Sequence, residues 1–293
     1  MKKLILHIGT HKTGSTAIQN WLYWNRDTLA AQGVLYARTD REPYPHLKKH
    51  TSLHHALMHA SGDFRSEWQQ IEEEFEASGC HTMILSEEGL SGPRFLKLAA
   101  LRDAVRGYDV TVICFFRRQD YMIESHWNQR CKEGGEKDLI ETYARRPWTR
   151  TRMRYDRILD FWARFATVRA IAYHSAAATN SVAAFAAAAG LEYDGELLQY
   201  NRSPSMNCAA FCRLLNVCRL SRLSPRMIRR FRRDTRKYAL GSALRAEVLA
   251  DAAEGNLRLA EVYGIRFPPD LPEEGETPLR WPSARSLLLA IRP

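Results

Sequence analysis

The chain has 293 residues, a formal net charge of +10, 45 % hydrophobic and 26 % charged residues. These proportions are those of a soluble globular protein with enough chain to bury a core without staples. No run of eighteen apolar residues occurs, so no membrane span is expected, and the apolar run after Met1 ends at His7, too short for a signal peptide. The cysteines, Cys80, Cys114, Cys131, Cys208, Cys212 and Cys218, form no CxxC pair and read as reduced thiols of a cytoplasmic protein.

Residues 3–8 predict a buried first strand. Gly9 to Gly14 predicts a turn, and Ser15 to about Ala31 a helix with Ile18, Trp21, Leu22 and Leu29 on one side. Residues 32–62 read as a looser, histidine-rich region, followed by a helix over Phe64–Ala77 and a short strand over Thr82–Ser86. A helix over Pro93–Val105 precedes the strongest strand, Asp109–Phe116, which is apolar and β-branched. Then come a helix from Gln119 to Cys131, a helix over Tyr155–Phe165, a strand over Thr167–Tyr173 and an alanine-rich helix over Ser181–Ala189. Strand and helix alternate, which predicts an α/β fold, a central parallel sheet with helices on both faces. From Pro204 onward no strand is expected. Three helices are, over Asn207–Val217, Pro225–Tyr238 and Ser242–Tyr263, with Ser224-Pro225 as a helix start. The tail after Phe267, rich in Pro and Glu, is expected to be irregular. The whole is read as a single domain over residues 1–293: an α/β core over 1–200 and a helical extension over 201–293.

A loop between a buried first strand and a helix is where α/β proteins bind phosphate, because amides at the helix start converge on the anion and the helix dipole favours it. Here that loop is Gly9-Thr10-His11-Lys12-Thr13-Gly14-Ser15-Thr16. A Walker A motif places Lys directly after its second Gly. Lys12 instead lies two residues before Gly14, inside the loop, which counts against a magnesium-dependent kinase.

The segment Leu6-His7-Ile8-Gly9-Thr10-His11-Lys12-Thr13-Gly14-Ser15-Thr16-Ala17-Ile18-Gln19 resembles the 5'-phosphosulfate loop of bacterial sulfotransferases. The resemblance implies a P-loop-like nucleotide-binding fold and a 3'-phosphoadenylyl sulfate donor, with adenosine 3',5'-bisphosphate as product and no metal. It also implies that Gly9, His11, Lys12, Thr13, Gly14, Ser15 and Thr16 hold the phosphosulfate. A second motif of that family, Arg at a strand end and Ser eight residues later, grips the 3'-phosphate; Arg117 and Ser125 match it, with Arg117 preferred over Arg118. The family's Ser-x-Glu matches Ser86 and Glu88 at the end of the second predicted strand, and implies Glu88 as the base beside Lys12 in catalysis. Two alternatives stay open: Glu87 and Glu88 as helix-start charges, or His50, His54 or His55 as the base. Asn201-Arg202-Ser203-Pro204-Ser205 and Gly255-Asn256-Leu257 also resemble the family's C-terminal part.

Arg219–Lys237 holds eight arginines and one lysine against a single acid, Asp234. It reads as an amphipathic helix docked through Met227, Ile228, Phe231 and Tyr238, with a solvated basic face. The sharper alternative is peripheral contact with an anionic surface or acidic glycan. The expected function is therefore sulfuryl transfer to a hydroxyl or amine of a carbohydrate or small molecule. The rivals are a kinase-like nucleotide enzyme and a basic nucleic-acid or anionic-surface binder; specific nucleic-acid recognition is not expected.

Overall fold

The computed structural model describes residues 2–41, 44, 46–92, 95–173, 180–193, 195, 204–231 and 233–269. In chain order the elements are β1 (Lys2–His7), α1 (Ser15–Trp24), α2 (Arg26–Ala31), β2 (Val34–Tyr36), α3 (Thr51–Met58), α4 (Phe64–Ser78), β3 (Thr82–Ser86), α5 (Ala99–Ala104), β4 (Tyr108–Arg117), α6 (Gln119–Lys132), α7 (Ile140–Arg145), α8 (Pro147–Arg152), α9 (Tyr155–Trp162), β5 (Thr167–Tyr173), α10 (Ser181–Ala189), α11 (Met206–Val217), α12 (Ser224–Arg230), α13 (Ser242–Asp251) and α14 (Ala253–Val262). The strands form one sheet in the order β2-β3-β1-β4-β5, with every neighbouring pair parallel. The expected α/β architecture is the one observed.

The chain divides into two compact units. The first comprises Met1–Arg117, Arg154–Tyr200 and Gly255–Arg266 and contains the sheet. The second comprises Arg118–Met153, Asn201–Glu254 and Phe267–Pro293 and is helical among its described residues.

In the first unit, side chains alternate across the sheet as strand geometry requires. Ile5, Ile84, Ile113 and Phe115 face one side and form a core with Ile18 and Leu22 of α1, Leu29 of α2, and Val182 and Phe185 of α10. Their neighbours point the other way: Phe116 stacks on Tyr155 of α9, ring centroids 4.5 Å apart. Helices thus cover both faces, so β1 and β4 carry apolar residues on each.

Several boundaries differ from the sequence expectation. The helix foreseen over 15–31 breaks at Asn25, whose side-chain amide donates to the Trp21 carbonyl at 2.8 Å and ends α1. The region over 32–62 holds β2 and α3; β2 has only three residues, too few for a periodic signal, and exists because it pairs with β3. Of the helix foreseen over Pro93–Val105, Ala99–Ala104 is α-helical, between 3-10 turns at Phe95–Leu98 and Val105–Gly107; Pro93 and Arg94 lie outside the described residues. The tail from residue 270 and the segment 201–203 also lie outside them.

In the second unit, α11 packs on α6 and α12, and α13 packs on α6. The basic helix stops at Arg230, short of Tyr238. Asp234 draws the chain away instead, accepting from the Arg236 amide at 3.0 Å and from Asn207 at 2.8 Å, while the Arg236 carbonyl receives the Met206 amide. Met227 is buried, whereas Arg226, Arg229 and Arg230 are exposed, so α12 has the foreseen docked apolar side and solvated basic face. The helix foreseen over 242–263 is two helices that meet at Ala252. Buried Arg245 bonds Asp120 and Glu124 of α6, and Glu124 also accepts the amides of Ala239 and Leu240 at 2.7 and 2.8 Å. This network pairs charges that would otherwise be costly to bury.

Candidate functional site

β1 lies at the centre of the sheet, and the chain reverses its direction of travel across the sheet around it. That switch point, at the C-terminal ends of the strands, is where open parallel sheets take ligands. The residues after β1 first continue its pairing: the Ile8 amide donates to Ile113 O at 3.0 Å and the Thr10 amide to Phe115 O at 3.2 Å. The Thr10 hydroxyl donates to Phe115 O at 2.9 Å, and the Thr13 hydroxyl to Thr10 O at 2.5 Å. Two of the loop's hydroxyls therefore hold the loop itself.

The turn is then made by left-handed residues. Gly14 has φ 84°, and a Cβ there would lie 2.5 Å from Ser181 Oγ of α10, so only glycine fits. Lys12 has φ 68°. For a residue with a side chain this costs about 1–2 kcal/mol, and such strain persists where the surroundings impose it and tends to mark functional loops. α1 opens at Ser15 with no side-chain cap. Thr16 is exposed, and Ser15 is buried with an Oγ that has no partner among the described residues. The loop thus presents a cation, an uncapped helix start and spare hydroxyls at one point.

β3 pairs with β1 so that Ser86 lies opposite His7. The next two residues take different tasks. Glu87 accepts from the Gly89 amide at 2.9 Å and the Thr51 hydroxyl at 3.0 Å, and so caps the 3-10 turn Glu88–Ser91. Glu88 pairs with Lys49 at 2.8 Å, while Glu87 is 3.4 Å from the same ammonium. Burial pushes the Glu88 carboxyl up. The charge and hydrogen bond of Lys49, joined by the charge of His11, outweigh burial and hold it below the usual carboxylate range.

The three histidines differ in surroundings. His50 is buried and both ring nitrogens are engaged: Nδ1 accepts the Ser86 amide at 2.9 Å, and Nε2 donates to Ala37 O at 3.0 Å. Burial lowers its pKa to about 3, so it stays neutral. His54 lies against Gly89, where a Cβ would meet its Cδ2 at 2.4 Å. His55 stacks on His59, centroids 4.4 Å apart.

Arg117 closes β4 with its guanidinium 5.9 Å from the Tyr173 ring centre, and its carbonyl accepts the Tyr155 hydroxyl at 2.9 Å. Arg118 is committed elsewhere, gripping the Asp120 carboxylate with two bonds of 2.8 and 2.9 Å. Ser125 is a half-buried residue of α6, in the second unit.

The chain is similar to the crystal structure of a sulfotransferase from Alicyclobacillus acidocaldarius, with a TM-score of 0.50 over 91 % of this chain and 98 % of that one, at 12 % identity. The fold is the sulfotransferase fold. A sulfotransferase domain from the curacin biosynthetic pathway aligns with a TM-score of 0.38 at 12 % identity, over 69 % of this chain and 79 % of that one. No family profile and no curated protein matches the sequence.

Within this sulfotransferase fold, Gly9, His11, Lys12, Thr13, Gly14, Ser15 and Thr16 form one continuous loop, and Glu88 stands one step beyond the neighbouring strand, within electrostatic reach of His11. Arg117 ends the strand on the other side of β1. Sequence reasoning missed Lys49, the partner of Glu88, which sits in an irregular segment with no periodic signal. It named His7, Gln19 and Ser86 within its motifs but gave their side chains no task. His7 did carry a signal, as a polar residue inside an apolar strand run. A separate cleft of about 400 Å³, lined by Lys3, His81, Asp109 and Arg169 among others, opens at the N-terminal ends of the strands, away from the loop. Gly255 approaches Asp156 closely; a Cβ there would lie 2.8 Å from Asp156 Oδ1. Among the described residues no group of His, Cys, Asp and Glu is arranged to hold a metal, and no helix is long and apolar enough to cross a membrane.

Proposed function

We propose that this protein is an enzyme that transfers a sulfuryl group from 3'-phosphoadenylyl sulfate to a hydroxyl or amine of a carbohydrate or small molecule, releasing adenosine 3',5'-bisphosphate. The observation that supports this most is the loop after β1, with strained Lys12, left-handed Gly14 and the unpartnered buried Ser15 hydroxyl at an uncapped helix start. A phosphosulfate needs that combination of a point charge, converging amides and directed hydroxyls. Bound there, the donor would supply an activated sulfuryl group.

The protein's own residues then have separable tasks. Lys12 and the amides of Thr13 to Thr16 neutralise the bridging and terminal oxygens of the anion, with Gly9 and His11 shaping the loop's approach. Arg117 offers a planar fork to the 3'-phosphate. Glu88 takes the acceptor's proton: it is ionised at neutral pH because Lys49 stands beside it, and a base must be unprotonated before it acts. No metal is assigned a role, because Lys12 carries the charge that a cation bears in phosphoryl transfer.

Thermal stabilisation decides the reading. Adenosine 3',5'-bisphosphate at a hundredfold its dissociation constant should stabilise the protein by ~2.7 kcal/mol, and ATP with magnesium should do much less. The reverse preference, or an activity that vanishes with chelator and returns with magnesium, would favour the kinase-like reading. Salt-sensitive binding of DNA or anionic vesicles that ignores the nucleotide would favour the basic-surface reading.

A further inference from the structure

Beneath the loop lies a buried polar chain that the proposed reaction does not use. His7, the last residue of β1, is fully buried, with the rings of Phe115 and Phe185 edge-on at 5.9 and 5.3 Å. Its Nδ1 lies 2.7 Å from Ser86 Oγ, which also accepts from Gln19 Nε2 at 3.2 Å. Among the described residues its buried Nε2 has no partner, and neither has Ser15 Oγ. A Cβ on Gly9 would lie 2.8 Å from His7 Nε2 and 3.1 Å from Ser15 Oγ, so the two unpartnered atoms bracket one point that only glycine leaves open.

Two proton arrangements are open to this chain of bonds. Ser86 Oγ already accepts from Gln19 and has one proton of its own to give. If His7 carried its proton on Nδ1, Ser86 would receive two donors and its own proton would turn to the Tyr36 hydroxyl, which already donates to Lys48 O. With Ser86 donating to Nδ1, every group is satisfied except the Nε2 proton, which faces Gly9 and Ser15. A buried donor left unmade is costly, so one placed under a ligand loop invites an explanation.

We propose that His7 is a positioning residue for Ser15: its Nε2 proton is donated to Ser15 Oγ when an anion occupies the loop, which turns the Ser15 proton toward that anion. Gln19, Ser86, His7 and Ser15 then form one directed line from α1 through the sheet to the ligand, each donating to the next. The imidazole acts as a neutral donor, with burial lowering its pKa to about 4 and the Glu88 charge opposing that only in part. The inference rests on the reading of residues 9–16 as an anion loop, and the experiment separates the two.

Nitrogen-15 NMR of the histidine-labelled full chain reads the tautomer without ligand. His7 Nε2 should give a protonated-nitrogen signal, and that signal should move on adding adenosine 3',5'-bisphosphate. By calorimetry, His7→Asn, which keeps the Ser86 contact but lacks reach, should weaken that nucleotide roughly tenfold. His7→Gln, which restores a donor near the Nε2 position, should stay within about threefold. Ser15→Ala should match His7→Asn, and the double variant should lose no more than either single one. An unprotonated Nε2, a signal indifferent to the nucleotide, or multiplicative losses in the double variant would overturn the proposal while leaving the loop reading intact. An unaltered chain that does not bind the nucleotide would overturn both.

Discussion

His50→Leu separates a structural histidine from a catalytic one. In the folded protein the His50 ring is neutral, accepting the Ser86 amide and donating to Ala37 O. Leucine leaves the Ser86 amide buried and unpaired, at about 1–3 kcal/mol, while Ala37 O keeps the Arg26 guanidinium at 3.3 Å, so the variant should lose roughly 1–3 kcal/mol at pH 7. The pH dependence is the sharper test. Burial, helped by the charges of Arg26 and Arg41, lowers the folded pKa to about 3 against the bonds to Ser86 and Ala37, from an ordinary value of 6.5. A depressed pKa contributes stability that is fully present above 6.5 and is lost as pH falls toward 3. Between those limits the unfolded chain holds one more proton at this site, which is about 1.4 kcal/mol per pH unit. The leucine variant lacks that term. The stability gap between the two proteins should therefore shrink by about that amount for each unit from pH 6 to pH 4, measured by urea unfolding of both at each pH. Parallel curves would show that His50 ionises normally in the folded state and would return it to the list of possible bases.

Lys12→Ala removes the loop's point charge; adenosine 3',5'-bisphosphate should bind at least tenfold more weakly by calorimetry, and near-normal turnover would refute the loop assignment. Arg117→Ala should cost roughly ten- to a hundredfold in affinity for that nucleotide and little for adenosine 5'-phosphate, whereas equal losses would refute the 3'-phosphate role. Glu88→Gln should lower turnover by ~10²–10⁴-fold with nucleotide affinity intact, and Glu87→Gln should cost less turnover. Lys49→Met removes the main charge holding the Glu88 carboxyl down, so its pKa should rise and the acid limb of activity should move to higher pH; an unmoved limb would show that Lys49 does not tune Glu88. Gly14→Ala should destabilise the fold by about 2–4 kcal/mol, combining left-handed strain with overpacking against Ser181, as read by chemical denaturation.

The architecture was legible because its signals are local. β1 and β4 are buried on both faces, so their apolar runs stand out from the sequence. The glycines and Lys12 of the loop are contiguous, so the strand, turn and helix around them could be read as one unit. Arg117 and Arg118, adjacent in sequence, differ in their surroundings: Arg118 is tied to Asp120, two residues away, while Arg117 ends the strand. Helix ends were less legible, because Asn25 and Asp234 stop or divert the chain through hydrogen bonds whose partners propensity does not weigh. β2 exists only by pairing with β3. The surroundings of the site belong to tertiary structure alone. Lys49 meets Glu88 from a segment 39 residues away, and His7 meets Ser86 from 79 residues away. Nothing local in the sequence distinguishes His50, locked between two backbone groups, from the half-buried His54 and His55. Sequence determined which groups the loop presents; long-range packing decided which of them are spent on holding the fold and which remain to meet a ligand.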